Sequence, residues 1–81
     1  MVKTYWFSAD SRGRAVAKTE IHSDGTVHRF EYTVPDRIHE GHGHQKYNSI
    51  QEFIRKHPDE ADWERRVDHP DSINRKWKGQ G

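Results

Sequence analysis

Apolar and polar positions alternate along the first third of the chain, and the alternation changes to a helical spacing in the last third. Val2 to Ala9 reads as a strand rich in Thr and aromatic residues. Asp10 to Gly13 is a short turn, so this strand is expected to pair antiparallel with its successor. Arg14 to His22 and Thr26 to Val34 read as a second and third strand around Ser23-Asp24-Gly25-Thr26. Asp-Gly between two such runs is a strong hairpin signal, because a type I′ turn needs positive φ at both central residues. Pro35-Asp36 is expected to end the sheet, since proline cannot donate to a ladder. Residues 36–48 show no clear period and read as loop.

Ser49-Ile50-Gln51-Glu52 then matches a capping box. Ile50, Phe53, Ile54 and His57 fall on one face by the i, i+3, i+4, i+7 rule. Pro58 marks the stop, because the residue before a proline is pushed out of helical geometry. A second, shorter helix starts at Pro58 or Asp59 and runs to about Asp68, with Trp63 and Val67 stacked at i, i+4. Pro70 ends it. The expected fold is therefore α+β: a three-stranded antiparallel β-meander, a C-terminal helix packed on one face, and a second short helix. Residues 1–70 form the domain and residues 71–81 a polar, basic tail expected to be flexible.

A two-residue Asp24-Gly25 loop sets a register in which Ser23 faces Thr26. Glu20 then lies opposite Arg29 and Lys18 opposite Glu31, on a solvated face with Val16, His22, Val27 and Thr33. The other face carries Ala15, Ala17, Thr19 and Ile21 against Val34, Tyr32, Phe30 and His28, and the Ile50/Phe53/Ile54 stripe is its lid. On the first strand, Tyr5 and Phe7 point one way and Trp6 the other. Either set fits the core. If Tyr5 and Phe7 enter, Trp6 stands exposed among Lys18, Glu20, Arg29 and Glu31, where an aromatic ring suits a protein contact or a stacked base.

Composition makes that core thin. The chain has 81 residues and no leucine, and Ile, Val and Phe supply only thirteen of them. That is below the roughly 20% under which disorder becomes a risk, but the rule also requires high net charge. Here the net charge is +1, so self-repulsion does not oppose folding. Nine aromatic residues are expected to do the packing that leucine usually does. There is no cysteine, which excludes disulfides and thiolate sites. No apolar run approaches the roughly 18 residues of a membrane span, and the start is too short and polar for a signal peptide. A cytoplasmic protein is the expectation.

Candidate chemistry is sparse. His39-Glu40-Gly41-His42-Gly43-His44 is the one metal-like cluster, and His39, His42 and His44 are weak candidate ligands, with Glu40 or His28 as a fourth. The spacing matches no zinc signature, and no cofactor is implied. Seven histidines supply acid–base groups, yet no nucleophile elbow, phosphate loop or spaced carboxylate–histidine motif is present. A small toxin-like RNase built on His22, His28 and Arg29 is the catalytic reading, and it ranks last. For nucleic acid the relevant cations are Arg12, Arg14, Lys18, Arg29 and the tail Arg75-Lys76-Trp77-Lys78. Two of these face acids across the strands, and neutralised patches bind phosphate poorly. The acidic run Asp59-Glu60-Ala61-Asp62-Trp63-Glu64 is accounted for by the dipole of the helix it opens, and it also suits a basic partner.

The reading these observations favour is a small non-catalytic binding protein acting by protein–protein contact, of the class of inhibitors and regulators that phages and mobile elements direct at host complexes. The partner-binding candidates are Trp6, Arg14, Lys18, Glu20, Arg29, Glu31 and Trp77. A nucleic-acid-binding module using the sheet face and basic tail is the alternative. No membrane contact is expected, and the chain is a monomer or a homodimer through a sheet edge.

Overall fold

Four strands form, not three. The structure, a computed structural model, describes residues 1–68. Strands β1 (Val2–Ala9), β2 (Ala15–His22), β3 (Val27–Val34) and β4 (Arg37–Tyr47) make one antiparallel sheet in the order β1-β2-β3-β4. Helix α1 (Ile50–Lys56), a 3₁₀ turn (Pro58–Glu60) and helix α2 (Trp63–Asp68) cover one face. The α+β class and the helical cover agree with the sequence reading. Residues 37–47, expected as loop, form β4. No helix among the described residues is long and apolar enough to cross a membrane.

Pro35-Asp36 does not end the sheet; it turns it. Val34 pairs with Arg37 across this two-residue turn, with Asp36 at φ 68°. Aspartate tolerates that left-handed conformation better than most residues. Its backbone N–H donates to the Ala15 carbonyl at 2.8 Å and its Oδ1 accepts the Ala15 N–H at 2.6 Å, so the turn is bolted to the start of β2. β4 escaped recognition because it is an edge strand, mostly exposed on both sides, and its burial follows no period of two. Its glycines look like loop punctuation. Gly41 is instead a close-approach position: at φ 121°, an added Cβ would fall 3.2 Å from Thr33 Oγ1.

The β2–β3 hairpin is shifted by one residue from the expected register. Lys18 lies opposite Phe30, Thr19 opposite Arg29, Glu20 opposite His28 and Ala17 opposite Glu31. The cause is local. The Asp24 carboxylate accepts the Thr26 N–H at 3.0 Å and the Thr26 hydroxyl at 2.6 Å. His22 N–H donates to the Thr26 carbonyl and Gly25 N–H to the His22 carbonyl, closing a three-residue loop. Only Gly25 has positive φ, at 90°, so this is a turn ending in a glycine bulge and not a type I′ turn. A one-residue slip sends every β3 side chain to the other face. Val27 and Arg29 therefore enter the core, and His28, Phe30 and Tyr32 leave it. The expected pairs Glu20–Arg29 and Lys18–Glu31 do not form.

On β1 the structure chooses Trp6, which is completely buried; Tyr5 and Phe7 point to the opposite face. Trp6 meets Phe53 edge-on and stacks on Trp63, each at 5.8 Å between ring centroids. Ile21, Val27, Tyr47, Ile50, Ile54 and Val67 complete this core. Ser49 caps α1 as expected, its hydroxyl accepting the Glu52 N–H at 3.1 Å, while Glu52 reaches back one residue further, to the Asn48 N–H at 2.7 Å. The second helix breaks in two. Asp62 begins α2 by pairing with Arg65 at 2.6 Å and Arg66 at 2.7 Å.

The break turns Glu60 inward. Its side chain, read from sequence as a helix-start acid, is nearly sealed from solvent at 2% exposure. Glu60 Oε1 accepts the Trp6 indole N–H at 2.9 Å, the Ser8 hydroxyl at 2.6 Å and an Arg29 N–H at 3.3 Å. Arg66 approaches Oε2 at 3.5 Å. Burial pushes the Glu60 carboxyl up, but the Ser8 and Trp6 hydrogen bonds and the Arg66 and Arg29 charges outweigh it, so its pKa lies below the ordinary value. The folded state therefore holds this group ionised and binds fewer protons than the unfolded chain. Its contribution is complete above the ordinary carboxylate value of 4.5 and is lost as pH falls through the lower folded value.

Denaturant unfolding of three variants checks these features. Glu60→Ala is expected to cost about 3–5 kcal/mol, because it strands Arg29, Trp6 and Ser8. Glu60→Gln keeps an acceptor, costs less, and flattens the loss of stability below pH 4.5. Gly25→Ala meets no atom within 4 Å, so only the left-handed backbone opposes it. That substitution is expected to cost about 1–2 kcal/mol.

Candidate binding face

With the helices on one side, no element among the described residues covers the other side of the sheet. Three features of the sequence build it. The odd positions of β1 bring Tyr5 and Phe7; the even positions of β2 bring Lys18, Glu20 and His22; the shifted β3 brings His28, Phe30 and Tyr32. β4 adds His42, His44 and Lys46. Strand pairing arranges these as rows: Tyr5–Glu20–His28–Lys46, then Phe7–Lys18–Phe30–His44, with Tyr32 opposite His42 at one end.

Rings dominate the face. Tyr5 packs edge-on against Phe7 at 5.8 Å, and the Lys18 ammonium sits 5.1 Å from the Tyr5 centroid. Phe30 stacks on His44 at 4.7 Å, nearly parallel, and takes His42 edge-on at 5.3 Å. His28 lies between His22, at 4.1 Å, and His44, at 5.1 Å. Its Nδ1 is 2.8 Å from His44 Nε2.

Glu20 is the carboxylate of this array, bonded to Lys18 and to His22, each at 3.1 Å. Burial raises its pKa, but the bonds from Lys18 and His22 outweigh that and hold it below the ordinary value. Burial, then the charges of His22, His44 and Lys46, lower the pKa of His28 against the weaker pull of Glu20. Tyr32 is pushed up to about 12 by burial and by the nearby Asp36 carboxylate.

The sequence candidates scatter over this geometry. Lys18 and Glu20 lie on the open face but pair with each other. Trp6 is buried and offers no surface. Arg29 is also buried, at 8% exposure; it bonds Thr19, Glu31 and Glu60 and lies over the Phe53 ring at 5.8 Å. Glu31 stands beside it, half-exposed, on the helix-covered side. Arg14 sits by the β1–β2 turn, ion-paired to Asp10 at 2.9 Å. Trp77 and the rest of the basic tail lie outside the described residues.

The metal-like cluster does not converge. His39 is exposed beside Glu40, whereas His42 and His44 flank Phe30, and no group of three or more metal-capable side chains assembles among the described residues. The RNase trio is likewise divided. His22 and His28 share the open face, and Arg29 is buried on the other.

Sequence reasoning left Tyr5 and Phe7 open between core and face, and missed Phe30, Tyr32 and the His28–His44 pair as face residues. One signal was available: His42, His44 and Lys46 recur every second residue, the period that places side chains on one face of a strand. Comparison with known proteins gives no family model, curated protein or solved structure that matches the chain.

A spectrophotometric alkaline titration checks the face. The last phenol to ionise is expected at about pH 12, and Tyr32→Phe is expected to remove that step. A last step near 10, the ordinary value, would place the Tyr32 ring in solvent.

Proposed function

We propose that this chain is a non-catalytic binding protein that contacts a protein partner through the open face of its sheet. One observation carries the reading. The core on the helix side is already complete around Trp6 and Phe53, yet four more large aromatic residues, Tyr5, Phe7, Phe30 and Tyr32, stand together on the opposite side. Tyr5 is 39% exposed. A concentrated aromatic patch on one side of a small domain marks a contact surface more often than chance exposure does. Aromatic anchors beside a few polar groups are the usual composition of protein interfaces. A protein of this size, acting by covering part of a partner, would serve as an accessory or inhibitory factor.

Nucleic acid is the second reading, and the observed register favours it in one respect. Arg29 and Glu31 leave the open face, so Lys18, Lys46 and four imidazoles share it with the Glu20 carboxylate. Two features weigh the other way. Lys18 is neutralised by Glu20, and phosphate affinity scales with the number of cations that release counterions. The Phe30 ring also gives one of its faces to His44, a face a stacked base would need.

A capture experiment from the native source separates these readings. The wild-type chain and a Gln51→Ala control on the helix side are expected to retain one dominant protein in near-equal amount. A folded Phe7→Ser/Tyr32→Ser variant is expected to lose about 2 kcal/mol or more of binding, or roughly thirtyfold in affinity. Equal capture by all three would count against the sheet face. Retention of oligonucleotide that falls steeply with salt would favour the second reading.

A further inference from the structure

The histidines of the open face are connected in a defined order. The Thr26 hydroxyl donates to Asp24 Oδ1 at 2.6 Å, so the Thr26 oxygen faces His28 Nε2, 3.4 Å away, as an acceptor. In the neutral His28 ring that places the proton on Nε2 and leaves Nδ1 as a lone pair. His44 Nε2–H then donates to it across 2.8 Å. His44 also lies flat on Phe30, at 4.7 Å and 10° between planes. One hydrogen bond and one stack thus hold His44 of β4 to side chains of β3. β4 is an edge strand, hydrogen-bonded within the sheet to β3 alone.

We propose that the His28–His44 hydrogen bond is a proton-operated latch that fastens β4 and shapes the open face, closing with at most one added proton on the pair and opening when both rings are charged. The chemistry is that of two nitrogens sharing one hydrogen. With no added proton, His44 donates to His28. With one added, at His44 Nδ1, the bridging hydrogen stays between His44 Nε2 and His28 Nδ1 and either ring can donate it. With two, both facing nitrogens carry hydrogens, and a 2.8 Å contact between them is repulsive.

The surroundings decide how hard the pair is to charge. Lys46 lies opposite His28 from β4, and His22 packs on its ring from β2; both oppose a positive charge there. Lys18 on β2 and His42 on β4 add no negative charge. Glu20 is opposed to them, but Lys18 and His22 already hold it. Asp24, in the turn, is occupied by Thr26, and Tyr5 on β1 packs against Phe7 and the Lys18 ammonium. The neutral ring is thus the form the fold prefers, and the unfolded chain binds more protons. The stability it contributes is present above the ordinary histidine value of 6.5 and is lost as pH falls below it. Histidine is the side chain whose charge changes in this window, separate from the carboxylate losses below 4.5. That the latch governs partner contact rests on the open face being the contact surface.

Nuclear magnetic resonance of the full chain tests the latch without a partner. The His28 imidazole signals are expected to titrate below the ordinary histidine value of 6.5, and His44→Phe is expected to move that titration. Amide protection factors over residues 42–46 are expected to fall about tenfold between about pH 7.5 and pH 5, with β1–β2 amides unchanged. His44→Phe keeps a ring on Phe30 and removes the latch, so its β4 protection is expected to ignore acid; His28→Phe is expected to match it. A His28 titration at the ordinary value that His44→Phe leaves unmoved overturns the proposal. So does an acid response in His44→Phe equal to that of the wild type. A working latch beside a sheet face that captures nothing would fault the partner reading alone.

Discussion

A single buried carboxylate organises this protein. Glu60 comes from the short turn between the two helices, yet its oxygens take hydrogens from Trp6 and Ser8 on β1 and from Arg29 on β3, with Arg66 of α2 close by. A lone carboxylate in that position would be prohibitively unfavourable. Paired with two guanidinium groups and two neutral donors, it becomes the point where strands and helices must meet in one arrangement. Polar hubs of this kind are costly when half satisfied and specifying when complete.

That constraint explains how so small an apolar core suffices. Without leucine, the helix side of the sheet is filled by Trp6, Phe53 and Trp63, with Ala15 and Ala17 also buried. Trp6 is the link between the two economies of the fold: its rings pack with Phe53 and Trp63 while its N–H reaches Glu60. Indole serves both purposes because it is a large apolar body with one donor. Once Trp6 goes inward, Tyr5 and Phe7 have no choice but the other face, since successive side chains on a strand alternate.

Much of the fold was legible from local chemistry. The spans of β1, β2 and β3, the Ser49 cap and the Phe53 face of α1 follow from periodicity and capping, which depend on residues a few positions apart. β4 was not legible, because an edge strand exposed on both sides carries no burial pattern and its glycines imitate a loop. The faces of β3 were misassigned by one hydrogen-bonding choice. Asp24 captured the Thr26 N–H and hydroxyl, the loop gained a residue, and Phe30 and Tyr32 exchanged sides with Val27 and Arg29. The candidate site shifted accordingly, from charged pairs around Trp6 to an array of rings around Phe30, His28 and His44.

The amino-acid order alone determined the class of fold, the antiparallel succession of its first three strands and the position of its capped helix. These are decided by φ/ψ preferences, alternation and short-range hydrogen bonds. Only the tertiary structure decided which faces of β1 and β3 are inside, that residues 37–47 complete the sheet, and that Glu60 turns inward. The physical reason is that each of these is settled by partners far apart in the chain. Glu60 and Trp6 are 54 residues apart and His28 and His44 are 16, and no local propensity reports a bond whose acceptor lies that far away.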